Sequence, residues 1–360
     1  MSDREAERRA FIQASGWGAA AVESFPGDAS TRRYFRLTRG DEVAVLMDAP
    51  RGAEAPAEPE GASPAERKAL GYNALARLAG PEPAAFACLS NELVIRGFSA
   101  PKILAADLEA GLLLLEDFGR NVYAKAIESD PAMEAPLYFA AIECLGEIYR
   151  SSFPAQMQFR DVSWRVREYD DVALLAETDL FLDWYAPDAG LEISNDMRSE
   201  FYGLYQESFR HLAAHAPGLA LRDFHAENLF WLPERESVAK VGLIDFQDGL
   251  FVHPAYDLMS LITDIRRDVS PELKDELIAA FCGAAKIKND SDFRAAYAVL
   301  SVQRGTKLLG FPVRADLKFG KPQYRALLTR VKWHLNDDLA HPAVAPIREW
   351  FARHLPEVLS

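Results

Sequence analysis

The sequence predicts an α+β fold in two lobes: a small N-terminal lobe with an antiparallel sheet and a larger, mainly helical C-terminal lobe. Three observations predict it. First, Tyr34, Arg36 and Thr38 alternate with Phe35 and Leu37, and a second strand over 42–47 follows across the turn Arg39, Gly40, Asp41, which is a hairpin pattern. Second, residues 111–115 form an apolar run that ends abruptly in Glu116, Asp117, Phe118 and Gly119, as a buried strand does. Third, from Tyr123 onward the apolar period lengthens: Tyr138, Ala141, Ile142, Leu145, Ile148 and Tyr149 make one helical stripe. The change of character near Gly119 divides the chain into 1–118 and 119–360.

Taken in order, the chain opens on a helix over 4–15, with Ala6, Ala10, Phe11 and Ile12 on one side. The hairpin follows, preceded by the small polar run Gly27, Asp28, Ala29, Ser30, Thr31. Residues 51–64, rich in Ala, Pro, Glu and Gly, read as a mobile loop. Helical spacing returns over 65–78 and 83–96, and 100–107 leads through a turn into the apolar strand. Residues 172–185 and 196–215 read as helices, the first with Glu177, Asp179, Asp183 and Trp184 among apolar positions. A further helix begins at Pro254, where Asp257 either caps it or braces the loop before it. Helices over 324–339 and 347–354 close the chain.

The chemistry concentrates in 219–258. Asp223 is followed five residues later by Asn228, and Asp245 stands at the end of the short apolar strand 240–244. A carboxylate, an amide five residues on and a second carboxylate after an apolar run suit phosphoryl transfer. The first Asp receives the proton of the attacking hydroxyl; the Asn and the second Asp hold Mg²⁺ against nucleotide phosphates. One such residue alone is ordinarily a cap or a turn. The three at this spacing, beside the apolar runs 229–232 and 241–244, point to the chemistry instead.

Composition narrows the alternatives. The formal net charge of −14 argues against a nucleic-acid-binding protein. Cys88, Cys144 and Cys282 are an odd number, widely spaced and set among apolar residues, so reduced thiols and a cytoplasmic location are expected. No run approaches the roughly 18 apolar residues of a membrane span, and the charged N-terminus lacks a signal-peptide core. The seven histidines are scattered.

The segment with Asp223, Asn228 and Asp245 resembles the catalytic and metal-binding loops of the aminoglycoside phosphotransferase and choline kinase group. Within it, Ile244, Asp245, Phe246, Gln247 and Asp248, with Tyr256, Asp257 and Leu258 behind, are most similar to bacterial kinases of cell-wall recycling that act on the anomeric hydroxyl of N-acetylmuramate and N-acetylglucosamine. The resemblance runs from about Asp28 to Arg314 and includes the stretches around Leu46, Asp117, Asp179 and Arg304. It implies a protein-kinase-like fold with ATP and Mg²⁺ between the lobes. It makes Asp223 the catalytic base, and Asn228 and Asp245 the metal ligands. Ser30, Thr31, Arg32 and Arg33 then meet the phosphates, and the main chain near Glu116 and Phe118 meets adenine. His225, Gln247, Asp248, Asp179 and Asp183 support the loops or touch the acceptor. The sequence departs from the wider group at Met47, where a phosphate-binding Lys is usual. Arg32, Arg33 and Arg36 are the nearest cations in sequence, and one of the first two is the expected replacement. A small amino sugar is the expected substrate. Rival readings are a kinase for choline, an amino alcohol or an aminoglycoside, and a nucleotide-binding scaffold without transfer activity. The oligomeric state is not legible in the sequence.

Overall fold

Residues 3–25, 31–52 and 55–359 are described by the computed structural model. The chain forms two units interleaved in sequence. Met1–Cys144, Ser151–Arg167 and Glu227–Gly249 make the first; Leu145–Arg150, Glu168–Ala226 and Leu250–Ser360 make the second.

The first unit is built on an antiparallel sheet of β1 (Ala21–Ser24), β2 (Arg33–Arg39), β3 (Glu42–Asp48), β4 (Ile103–Asp107) and β5 (Leu112–Glu116), in the order β1-β2-β3-β5-β4. Leu37, Ala44, Leu46, Leu112 and Leu114 gather with Trp17 into one apolar cluster, against which Phe11 and Ile12 of α1 (Asp3–Ala14) pack. Met47, Leu113 and Leu115, the alternate residues, are buried as well. Both faces of β3 and β5 are therefore covered, which is why 112–115 is an unbroken run of leucine. Each such side chain removed from water is worth about 1.5–3 kcal/mol. Helix α1 is also held by charge: Arg4 Nη2 lies 2.5 Å and Arg8 Nη1 3.3 Å from the buried carboxylate of Asp48.

The hairpin and the apolar strand stand where the sequence puts them. Strand β1 does not appear in the pattern, because all four of its residues are exposed and no alternation marks it. The single helix expected over 65–78 is two pieces. Helix α2 (Pro64–Leu70) ends at Gly71, whose φ of 103° a side chain would resist, and a π-turn follows over Asn73–Arg77. Helices α3 (Pro83–Ile95), α4 (Tyr123–Ser129) and α5 (Glu134–Arg150) complete the helical part, with the last turn of α5 belonging to the second unit. A hairpin of β6 (Gln156–Phe159) and β7 (Val162–Arg165) carries no Asn-Gly signal; its turn uses Arg160 at φ 55°. The loop expected over 51–64 is irregular, and its described part is anchored: Glu58 pairs with Arg167 at 3.1 Å, and Asn73 donates to the Ala55 carbonyl at 2.8 Å.

The second unit is helical: α6 (Asp171–Glu177), the short α7 (Ala186–Asp188), α8 (Asn195–Phe209), α9 (Ala255–Ile262), α10 (Leu273–Ala285), α11 (Ser291–Phe319), α12 (Leu328–Asp338) and α13 (Ala345–His354). The helix expected over 172–185 breaks after Glu177 and resumes as a π-turn over Phe181–Tyr185. The cause is a close crossing. A Cβ on Gly310 of α11 would lie 1.9 Å from the Leu180 carbonyl oxygen, so only glycine lets the two backbones meet. The stack of Phe181, Phe201, Tyr205, Trp350 and Phe351 fills the core behind it. Among the described residues no helix is long and apolar enough to cross a membrane. Cys88, Cys144 and Cys282 are all buried.

Three histidines of the second unit bear on acid stability. Burial pushes His225 and His253 down to about 3, aided by Arg266 and His215 respectively, and pushes His334 down to about 4, aided by Lys274. Each folded value lies below the unfolded one, so below about pH 6.5 the unfolded chain binds protons that the fold refuses. Stability then falls as pH falls. Asp257, pushed up to about 7 by burial, works in the opposite sense and offsets one of the three. Asp264 and Asp338, raised by burial in the same way, offset part of the loss as well. The direct check is the imidazole NMR signals of the three rings, which should stay those of the neutral form from about pH 6.5 down to 4.5; a ring that titrates near 6.5 would contradict its buried neutral state.

Candidate active site

In the second unit, the approach to Asp223 begins at Gly218–Ala220, which pairs antiparallel with Leu250–Val252. The two main-chain N–H groups that follow, of Leu221 and Arg222, donate to the two oxygens of Asp257 at 2.5 and 2.9 Å. Asp257 is buried in the first turn of α9, so it braces this loop from helix α9. The brace is needed because Arg222 has φ 70°, a left-handed conformation costly for a residue with a Cβ. Arg222 Nη2 reaches Glu177 at 2.8 Å, and Lys307 Nζ of α11 reaches the same Glu177 oxygen at 2.5 Å. Burial alone would raise Glu177; Lys307 and Arg222 bring it down to about 2. Asp223 itself is 38% exposed, with Arg304 Nη2 of α11 at 3.8 Å. Its surroundings oppose each other: the protein packed around the carboxyl favours the neutral acid, but the cations Arg304, Arg222 and Lys307 hold it at about 2, ionised at neutral pH. His225 is buried and, with its value near 3, neutral.

The first unit carries the other half of the motif. Asn228 ends a 3₁₀ turn and leads into Leu229–Trp231, which pairs antiparallel with Val241–Leu243. The pair is held tightly: Leu243 N–H donates to the Ser99 carbonyl at 2.7 Å, and a Cβ on Gly242 would meet Phe230 at 2.9 Å and Phe118 at 3.0 Å. Ile244 N–H donates to the Asn228 carbonyl at 3.2 Å, so the strand delivers Asp245 beside Asn228. Asp245 has φ 61°, strained like Arg222, a condition that collects at functional loops. Its carboxylate accepts from Gln247 Nε2 at 2.8 Å, Arg32 Nη1 at 3.3 Å and Asn228 Nδ2 at 3.5 Å. Phe246 is buried and stacks on Phe86 at 5.0 Å, which anchors the loop. Asp248 is also buried and paired with Arg77, at 2.6 Å to Nε and 2.5 Å to Nη2.

These residues fit a hard cation. The carboxylate of Asp245 and the amide oxygen of Asn228 are the donor types Mg²⁺ takes, and the N–H groups that Asp245 accepts from occupy lone pairs a cation would take in their place. Among the described residues Gln247 Oε1 and Asp248 Oδ1 are buried without a hydrogen-bond partner, which leaves acceptor capacity beside Asp245. No three His, Cys, Asp or Glu side chains gather into a metal-holding group among the described residues. A cation here would complete its shell with water and phosphate oxygens, as Mg²⁺ ordinarily does.

The remaining expected residues are distributed as follows. Ser30 lies outside the described residues. Thr31 and Arg33 are exposed, whereas Arg32 is buried against Asp245. Arg36 is committed elsewhere, to Asp117 at 2.6 and 3.0 Å and the Gly119 carbonyl at 2.9 Å. Met47 is buried opposite Tyr34 and Leu113 in the sheet. Glu116 closes β5 and pairs with Arg235 at 2.6 Å, and the Arg235 guanidinium lies 5.1 Å from the centroid of the Phe118 ring. Asp179 and Asp183 are both bound by Arg198, at 2.9 and 2.5 Å. Sequence reasoning gave no role to Arg77 or Arg304. Their signal exists only in the fold, since each meets its carboxylate from a distant part of the chain.

Comparison with known proteins adds the following. The profile of the family described as "Phosphotransferase enzyme family" matches residues 21–298. The N-acetylmuramate/N-acetylglucosamine kinase of Caulobacter vibrioides is 41% identical over 355 residues, covering 99% of this chain and 98% of that protein. The protein of the same name from Pseudomonas aeruginosa is 29% identical, over 94% of this chain and 91% of its own. Among solved structures, a choline/ethanolamine kinase family protein from Mesorhizobium loti matches with a TM-score of 0.55 at 16% identity, covering 96% of this chain and 99% of that one. The streptomycin–ATP ternary complex of APH(2″)-IIa matches with a TM-score of 0.53 at 12% identity, over 91% and 98%. At these identities the two structures speak for the fold: α+β and protein-kinase-like, with an antiparallel five-stranded sheet and a helical C-terminal part.

Proposed function

The chain belongs to the phosphotransferase enzyme family, and we propose that it is an ATP- and Mg²⁺-dependent kinase for the anomeric hydroxyl of N-acetylmuramate and N-acetylglucosamine. Cell-wall recycling in the cytoplasm is the setting this reading implies. The observation that carries it is Asp245, strained and ringed by Asn228, Gln247 and Arg32: the carboxylate and amide that phosphoryl transfer uses stand side by side with a buried arginine against them. The acceptor follows from the relative that is 41% identical over nearly the whole chain.

In this reading residues 1–118 serve the nucleotide and 119–360 carry the catalytic loop and the acceptor site. Asn228 and Asp245 would hold Mg²⁺, which when bound neutralises charge on the phosphate oxygens. Gln247 keeps Asp245 oriented through its 2.8 Å hydrogen bond. The Asp223 carboxylate, ionised at neutral pH, orients the sugar hydroxyl and receives its proton. A value near 2 makes it a weak base, which suits a loose transition state in which the proton leaves late. His225, neutral and buried, shapes the loop, and Asp248 fixes it through Arg77. Ser30 and Thr31 belong to the loop over the phosphates, and the main chain near Glu116 and Phe118 meets adenine. Asp179 and Asp183, joined by Arg198, support the acceptor side. Positioning and electrostatic stabilisation supply most of the rate.

Turnover with ATP and Mg²⁺ across a panel of amino sugars, other sugars, choline, amino alcohols and aminoglycosides tests the proposal. ADP formation with N-acetylmuramate and N-acetylglucosamine well above the others is expected. Preference for a cationic acceptor, or nucleotide binding with no turnover on the panel, would overturn it.

The residue that replaces the usual Lys is Arg32. It is the buried arginine beside Asp245, whereas Arg33 is exposed and Arg36 is bound to Asp117. Arg32→Ala should lower kcat/KM for ATP by roughly 10–100-fold, the scale of a lost charge-assisted phosphate contact. Arg33→Ala should stay close to wild type. Met47→Ala should cost about 2–5 kcal/mol of stability and leave nucleotide kinetics nearly intact. Steady-state kinetics of the three variants at saturating sugar separates these outcomes, and normal kinetics for Arg32→Ala would remove the assignment.

A further inference from the structure

We propose that Arg304 is a positioning residue for Asp223: its guanidinium, braced on Tyr256, holds the Asp223 carboxylate in place for the incoming hydroxyl. The inference rests on the reading of Asp223 as the proton acceptor and extends it to a residue 81 positions away in the chain.

Arg304 lies on α11 with its side chain 11% exposed, and its Nη2 is 3.8 Å from Asp223 Oδ1. That separation is an ion pair without a direct hydrogen bond, so the effect acts through charge. The guanidinium is itself fixed. Nη1 donates to the Tyr256 hydroxyl at 3.3 Å, and the group lies 5.8 Å from the centroid of the Tyr256 ring. Tyr256 is fully buried and directly precedes Asp257, the residue that braces the main chain at Leu221 and Arg222. One helical turn therefore supports both the backbone that leads to Asp223 and the cation beside its carboxylate.

The charged and titratable groups facing Asp223 are Arg304 and Lys307 from α11, Arg222 and His225 from its own loop, and Tyr256 and Asp257 from α9. They are not equivalent. Glu177 takes both Arg222 and Lys307, at 2.8 and 2.5 Å. His225 is neutral. Asp257, raised to about 7 by burial, is largely neutral below that pH and supplies no positive charge. Arg304 forms an ion pair with Asp223, and it stands first among the groups that hold Asp223 down against burial. Without it, a carboxylate near Asp257 would gain protons more readily and lose its fixed orientation.

The test uses two variants of the full chain. Arg304→Gln keeps a donor for Tyr256 and loses the charge; Arg304→Lys keeps the charge. The ¹³C-carboxyl signal of Asp223, identified by its disappearance in Asp223→Asn, is followed over about pH 5–8 together with the pH dependence of kcat. In wild type and Arg304→Lys the signal should stay that of the ionised form throughout. In Arg304→Gln it should titrate inside the window, and kcat should fall by about 10–100-fold at the acid end with a smaller loss at the alkaline end. A merely structural role would lower Tm and lower kcat by one factor at every pH, leave the Asp223 signal unmoved and gain nothing from Lys; that result overturns the inference. Should Arg304→Gln not fold, a titrating Asp223 signal in Arg304→Lys overturns it as well. The carboxyl titration needs no turnover, so a coupled Arg304 and Asp223 in a protein that phosphorylates no sugar would count against the kinase reading and not against the coupling.

Discussion

Asp223→Asn is expected to lower kcat by about 10²–10⁴-fold, the range of a lost proton acceptor, with nucleotide affinity little changed. Asn has the shape of Asp, and the main-chain bonds from Leu221 and Arg222 to Asp257 do not involve the Asp223 side chain, so the loop should keep its course. What disappears is the charge. The amide cannot take up the hydroxyl proton, and Arg304 loses its ionic partner. Steady-state kinetics at saturating ATP and sugar, with nucleotide titration alongside, checks both halves. A kcat near wild type would eliminate Asp223 from the chemistry, and a large loss of nucleotide affinity would show that the loop had moved.

Asp245→Ala should be at least as damaging, and in a different way. The carboxylate receives Gln247, Asn228 and Arg32. Its removal takes away the anionic metal ligand and leaves the buried Arg32 guanidinium without this counter-charge. Nucleotide binding in the presence of Mg²⁺ should weaken by about 100-fold or more, while binding without metal changes much less. Asp245→Asn, which keeps an oxygen for Mg²⁺ but no charge, should fall between. Equal losses with and without Mg²⁺ would mean that Asp245 serves the fold and not the metal.

Much of this arrangement is legible in the sequence, for identifiable reasons. The hairpin of β2 and β3 shows because its residues alternate, and β5 shows because both of its faces are covered and the run is wholly apolar. Asp223, Asn228 and Asp245 show because phosphoryl transfer fixes their types and their separation along the chain. Strand β1 does not show, since four exposed residues carry no pattern. The breaks at Gly71 and after Glu177 do not show either. One depends on a left-handed glycine inside a helical period, the other on a backbone crossing at Gly310 that no local signal announces. The arginines divide on the same principle. Arg32, Arg33 and Arg36 look alike in sequence; burial against Asp245, exposure, and a salt bridge to Asp117 tell them apart. The roles of Arg77 and Arg304 have no local sign, because each is defined by a partner far along the chain.

The most direct measurement is the ³¹P and ¹H NMR spectrum of the product formed from N-acetylglucosamine, ATP and Mg²⁺. The account predicts a sugar phosphate whose phosphorus couples to the anomeric proton, with the reducing end lost, formed by the wild type and by Asp223→Asn at a rate at least about 100-fold lower. Phosphate on any other oxygen, free phosphate alone, or the same product formed by Asp223→Asn at the wild-type rate would contradict it.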